Sequence, residues 1–174
     1  MTVELRTASV LEPVRQTILD LYAEVRADRL HLPNYRIEAF SERLDRHGSE
    51  HGWTAVVGYD GEVPVGYAYA NIVEPGNRWW TRMDPPAPEQ FTAGPAIALK
   101  EIMVRVPWRR TGTARRIHDE LLAAHSEPYV SLLVNPEAGD GRLLAHYESW
   151  GYRSISRQQP SPDSPVLVAM VREL

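Results

Sequence analysis

The run Tyr129 to Val134 constrains this chain most, because it is nearly continuous in apolar residues and short enough for one strand. A strand without a polar side is buried on both faces. Helical spacing brackets it. Ala114, Ile117, Leu121 and Leu122 recur at helical intervals between Gly112 and His125, and Asp140 to about Trp150 reads as a short helix. In that reading Asp140 is the N-cap and Gly151 the C-cap. Interleaved strands and helices of this kind predict an α/β or α+β domain with a mixed sheet.

The remaining elements fit the same plan. Glu4 to Ser9 reads as a first strand. Leu11, Val14, Ile18, Leu21, Tyr22 and Val25 mark an amphipathic helix, with Pro13 in its first turn, where the missing amide hydrogen does no harm. Ile37, Phe40 and Leu44 mark a second helix ending near Gly48. Trp53–Tyr59 and Val63–Val73 are β-rich and separated by Asp60-Gly61, a hairpin signal. Ala96 to Val106, Tyr152 to Arg157 and Val166 to Val171 complete the strands. The segment 74–95 holds five prolines with Trp79, Trp80, Met83 and Phe91, and reads as a long loop. Loops of that length are commonly lids or binding loops.

Composition excludes several classes. At 174 residues the chain has room for one domain, here 1–174. It has no cysteine, hence no disulfide, thiolate metal site or cysteine nucleophile. A net charge of -4 argues against a general nucleic-acid binder. No apolar run is long enough for a membrane-spanning helix. Met1 to Ala8 carries Glu4 and alternates in polarity, unlike a secretory leader, so a cytoplasmic location is expected. Lys100 is the sole lysine among many arginines, the bias of a high-GC bacterial genome. The histidines show no metal spacing: His47 and His51 are four apart without a third ligand nearby, and His118 and His125 read as exposed. No metal is expected.

The chemistry lies in Leu99 to Ala114, where a strand runs through a short loop into a helix. Amides at a helix start point outward unpaired, and the helix dipole adds positive potential. Gly112 and Ala114 are small, and Arg109, Arg110, Thr111 and Thr113 supply donors. This is an anion cradle suited to a pyrophosphate. It has neither the Gly-Lys-Ser/Thr ending of a P-loop nor the third glycine of a dinucleotide fingerprint.

Here the sequence resembles the GNAT superfamily of N-acetyltransferases, whose Gln/Arg-x-x-Gly-x-Gly/Ala signature is filled by Arg109, Gly112 and Ala114. Val104-Arg105-Val106-Pro107-Trp108 is similar to the family's lead-in, with the proline displaced by one. Downstream, Tyr147 and the pair Gly151-Tyr152 match family positions, while Asp140 stands where the family commonly has asparagine. The good matches cover about 96–155. The resemblance implies a twisted mixed sheet with helices on both faces, the fourth and fifth strands splaying to admit acetyl-coenzyme A. It implies that the backbone of Met103 and Val104 pairs with the pantetheine arm, that Arg109 to Ala114 hold the pyrophosphate, and that Asp140 stands at the coenzyme-binding helix start. It also implies direct attack by an amine, with Tyr147 as the acid for the departing thiolate. Glu101, on the fourth strand near the acyl group, is the candidate base.

The competing readings are definite. The cluster Arg105, Arg109, Arg110, Arg115 and Arg116 is a solvated helix face or an RNA patch if it is not a coenzyme site. Tyr147 is otherwise a core aromatic, and Glu101 a solubilising edge charge. Trp79 and Trp80 either anchor the loop or form a lid over the acceptor, with Glu74 attracting its ammonium group. The expected partner is an amine of a small molecule or protein, with the chain a monomer or homodimer. A non-catalytic acyl-coenzyme A sensor and an enzyme using another acyl donor are the alternatives.

Overall fold

A computed structural model describes residues 2–174. The strands are β1 (Val3–Ala8), β2 (Thr54–Asp60), β3 (Val63–Val73), β4 (Ala96–Val104), β5 (Tyr129–Val134), β6 (Arg153–Gln158) and β7 (Leu167–Glu173). The helices are α1 (Arg15–Val25), α2 (Ile37–Gly48), α3 (Arg78–Thr81), α4 (Glu89–Thr92), α5 (Thr113–Ala123) and α6 (Arg142–Ser149). Hydrogen bonds order the strands β1-β2-β3-β4-β5-β7-β6. The pair β4–β5 is parallel, whereas β1–β2, β2–β3, β5–β7 and β6–β7 are antiparallel, so the sheet is mixed as expected. The parallel register runs from Ile97↔Val130 to Leu99↔Leu132, while β4 itself continues to Val104.

The described residues form two compact units: residues up to Asn71 with Lys100–His125, and Ile72–Leu99 with Ser126–Leu174. In the first unit, Ala55 and Val57 of β2, Tyr67 and Tyr69 of β3 and Met103 of β4 meet Ile18, Leu21 and Tyr22 of α1 and Phe40 and Leu44 of α2. The Tyr22 and Phe40 rings stack with centroids 3.7 Å apart. Each such buried side chain contributes on the order of 1.5–3 kcal/mol. α5 covers the other face of β2. Alternation turns Gly58 away from Val57, and a Cβ built on Gly58 would lie 3.2 Å from Ile117 Cδ1. Helices thus cover both faces of β2. The hairpin turns at Gly61-Glu62, not Asp60-Gly61, because Asp60 still pairs with Val63. Only Gly61 takes a positive φ, 61°.

The second unit has its own core. Segment 74–95 is not one irregular loop; it contains α3 and α4 and folds inward. Trp79, Trp80, Met83 and Phe91 pack with Val73, Ala96, Ala98, Ala169 and Val171. Among the described residues no helix is long and apolar enough to cross a membrane.

Candidate functional site

β4 carries the first half of the site. Period-two alternation puts Glu101 and Met103 on one face, the face where Met103 enters the core with α1 and α2. Glu101 therefore lies inside, its side chain only 18% exposed, with Arg43 Nη2 of α2 at 3.8 Å. It is not a solubilising edge charge. Burial pushes its carboxyl above the ordinary carboxylate value, and Arg43 and then Arg26 pull it back. The Tyr67 and Tyr69 phenols of β3 lie above their ordinary value, through burial first and the Glu101 charge second.

Further polar groups are buried in the first unit. His47 Nδ1 and the Tyr69 hydroxyl are 3.0 Å apart, and Asn71 Nδ2 donates to the His47 carbonyl at 2.9 Å. Burial and the nearby Lys100, Arg46 and Arg43 push the His47 imidazole down to about 3, so it is neutral at pH 7. His47 is partly buried. His118 is also buried, at 0% exposure, with Nδ1 2.8 Å from Asp119 Oδ1. The Tyr67 hydroxyl, Asn71 Oδ1 and Arg26 Nε are buried without a hydrogen-bond partner. Lys100 Nζ lies 3.6 Å from Glu50 Oε2. Among the described residues no group of three His, Cys, Asp or Glu is arranged to hold a metal.

The loop after β4 is built from backbone. A short 3-10 turn spans Val106–Trp108. Arg110 then takes φ 61° and Gly112 takes φ 83°, ψ -3°, immediately before α5. An L side chain in that region costs about 1–2 kcal/mol, which glycine avoids. The first helical bond is Arg116 N–H to Gly112 C=O at 3.0 Å. The amides of Thr113, Ala114 and Arg115 precede that ladder. The Thr111 hydroxyl lies 2.8 Å from that of Thr113. A Cβ built on Gly112 meets nothing within 4 Å, so the space before this helix start is open. The basic cluster divides. Arg105 pairs with Glu24 at 2.7 Å, Arg115 with Asp119 at 2.8 Å, and Arg116 donates to the Val3 carbonyl at 2.8 Å. Arg109 and Arg110 are exposed on the loop. Arg109 Nε donates to the Val104 carbonyl at 3.1 Å, so that carbonyl is already engaged by protein. Met103 and Val104 are both buried.

In the second unit Tyr147 lies on α6, 7% exposed. Its ring meets those of Trp150 and Tyr152 edge-on, each with centroids 5.8 Å away. Asp140 is not the N-cap of α6. Gly141 holds that position at φ 84°, and Asp140 itself is left-handed at φ 57°. The Asp140 side chain is 99% exposed, with only a 3.9 Å approach to Arg142. Trp79 and Trp80 are 9% and 4% exposed, so their rings fill the core instead of presenting a face to an acceptor. Trp79 Nε1 donates to Ser131 Oγ at 3.0 Å, which anchors the segment. Glu74 is exposed just past β3.

No family model matches the chain, and no curated protein matches it in sequence. Solved structures do match its fold. A GNAT-family acetyltransferase from Streptococcus agalactiae is 13% identical with a TM-score of 0.69, over 98% of this chain and 95% of that one. A histone acetyltransferase HPA2-related protein from Corynebacterium glutamicum is 16% identical with a TM-score of 0.66, over 99% and 96%. Arabidopsis thaliana NAA60, solved with acetyl-CoA, is 16% identical with a TM-score of 0.65, over 99% of each chain. The chain has the GNAT fold.

Within this GNAT fold, sequence reasoning singled out Glu101 and the loop at 109–114 as candidates and did not foresee the groups that act on Glu101. The signal was present. Tyr67, Tyr69 and Asn71 alternate along β3 and so share a face, each bringing a polar tip into an otherwise apolar strand. Arg26 and Arg43 carried no such signal, since which face of α1 and α2 meets β4 is a tertiary matter.

Proposed function

We propose that the chain is an N-acetyltransferase that moves an acetyl group from acetyl-CoA to a primary amine. The observation that carries this is within the first unit. A buried carboxylate, Glu101, stands on β4, and the same strand leads into a helix start with Gly112 in left-handed conformation before open space. Amides at the start of α5, with Arg109 and Arg110, suit the pyrophosphate.

The step needs no acyl-enzyme. The neutral amine nitrogen attacks the thioester carbonyl carbon, a C–N bond forms, and the tetrahedral centre collapses with loss of the C–S bond. The amine proton goes to Glu101, directly or through a water. A carboxyl raised by burial is the stronger base for that transfer. The departing sulfur takes a proton to leave as the free thiol. Tyr147 is assigned as that acid from its chain position in the GNAT resemblance. Asp140 is assigned no role, because a solvent-exposed carboxylate repels a phosphate.

The test is steady-state thiol release from acetyl-CoA with a panel of primary amines, with the acetylated product identified by mass. Amine-dependent release at matching stoichiometry is expected, and Tyr147→Phe should lower kcat about tenfold or more. Binding of acetyl-CoA without transfer to any amine would contradict the reading.

A further inference from the structure

The first unit places more positive charge around Glu101 than acetyl transfer uses. Glu101 has Arg43 at 3.8 Å. A second guanidinium, that of Arg26 at the end of α1, also acts on the same carboxyl. Arg26 Cζ lies 5.4 Å over the Tyr35 ring, and its Nε is buried without a partner. The fully buried Tyr67 hydroxyl also has no partner. Buried polar atoms are nearly always hydrogen-bonded, so two open donors on residues that both interact electrostatically with Glu101 require an explanation.

Charge decides what chemistry fits. An acceptor amine arrives mostly as an ammonium ion. Two guanidiniums against one carboxylate leave a surplus cation, and a simple amine would add another. Like charges brought out of water are strongly unfavourable, so a polyamine or alkylamine is disfavoured here. An acceptor that brings its own anion reverses the balance. Its oxygens accept from guanidinium and phenol, the two kinds of donor left open, and Glu101 remains available for the amine.

We propose that the acceptor is a primary amine that also bears an anionic oxygen group, a carboxylate or a phosphate, held by Arg26 and the Tyr67 hydroxyl. This rests on the acetyl-transfer reading above. It makes Arg26 and Tyr67 specificity-determining residues and leaves the transfer step unchanged.

The experiment assays the full chain with acetyl-CoA against matched pairs: α-amino acids with their carboxamides, and phosphoethanolamine with ethanolamine. The expected result is a preference of about tenfold or more in kcat/KM for the anionic member of one pair, carried by KM. Which pair shows it separates carboxylate from phosphate. Arg26→Gln should bring that ratio to within about twofold, and Arg26→Lys should restore part of it. Tyr67→Phe should raise KM for the anionic acceptor without lowering the melting temperature, because the deleted hydroxyl has no internal partner. Equal or faster acetylation of the neutral members would overturn the anion assignment and leave acetyl transfer standing. A preference that survives Arg26→Gln in a folded variant would overturn Arg26 as its source. Failure to acetylate any amine, with the donor bound, would bring down acetyl transfer and this inference with it.

Discussion

The cores of the two units differ in how many buried polar groups they leave without a partner. In the second unit the Trp79 indole N–H reaches Ser131, the Gln158 amide donates to the Trp79 carbonyl at 2.7 Å, and the Ser156 hydroxyl donates to the Pro85 carbonyl. These bonds tie segment 74–95 to the strands beneath it; Trp80 Nε1 and Arg172 Nη1 are the exceptions. In the first unit the Tyr67 hydroxyl, Asn71 Oδ1 and Arg26 Nε have no hydrogen-bond partner, nor do Trp53 Nε1, Trp108 Nε1 and His125 Nε2, and of these Tyr67 and Arg26 act electrostatically with Glu101. Groups that stabilise a fold are paired in the folded state. Groups that await a ligand are not, and the protein bears their desolvation cost meanwhile. On the proposed function, the second unit's bonded set is structural and the first unit's open donors are the ones that would meet a ligand.

The largest expected effect tests the structural half. Trp79→Ala should cost about 3–5 kcal/mol in denaturant unfolding, as large-to-small changes in packed cores do. Trp79→Phe, which keeps most of the ring and loses the bond to Ser131, should cost about 1 kcal/mol. A change much smaller than this for Trp79→Ala would mean the tryptophan is not a core residue, and the lid reading would return.

Next comes Glu101→Gln, expected to lower kcat about 100-fold. The pH dependence has a definite sign. The folded-state carboxyl of Glu101 is raised, so wild-type activity is present above that raised value and is lost as pH falls through it. That acidic limb should vanish in the variant. Stability runs the other way. A raised carboxyl favours the folded state while protonated, and this contribution is lost as pH rises through the folded value. Glu101→Gln should therefore raise the melting temperature at pH 8 relative to wild type, with no such gain at pH 4. The groups acting with this carboxyl are Arg43 of α2, Tyr22 of α1 and Arg26 just after it, and Tyr67 and Tyr69 of β3. A variant that is slower yet no more stable at pH 8 would remove burial as the cause.

The smallest effect concerns His47, lowered from 6.5 to about 3 in the fold. Below about pH 6.5 the unfolded chain takes up a proton that the folded imidazole refuses, so stability falls as pH drops towards 3. His47→Gln should flatten the loss between pH 6 and pH 4. An unchanged slope would place His47 in contact with solvent.

Much of the fold was legible because it rests on local patterns. The β3 and β5 ranges, and both helices of the N-terminal half, follow from period-two and helical spacing that burial then enforces. The helix start at Gly112 was legible because a glycine stands directly before residues at helical spacing. What was not legible depends on three dimensions. Asp140 looks like a cap, but Gly139, Asp140 and Gly141 all take positive φ, and the cap position falls one residue later, on Gly141. The aromatic-rich segment 74–95 looks like a lid, but the direction in which its rings turn is fixed by Ser131 and Gln158, far away in sequence.

The most direct test of the central claim is calorimetric titration of acetyl-CoA into the wild-type chain, Gly112→Val and Gly61→Val. Both glycines hold positive φ, 83° and 61°, with nothing within 4 Å of an added Cβ, so the two variants bear similar backbone strain. The expected result is saturable binding near one site per chain in wild type and Gly61→Val. Gly112→Val should weaken binding about tenfold or more, since its side chain occupies the space before the helix start. No binding in wild type, or equal affinity in all three, would contradict the assignment of the 109–114 loop to the coenzyme pyrophosphate.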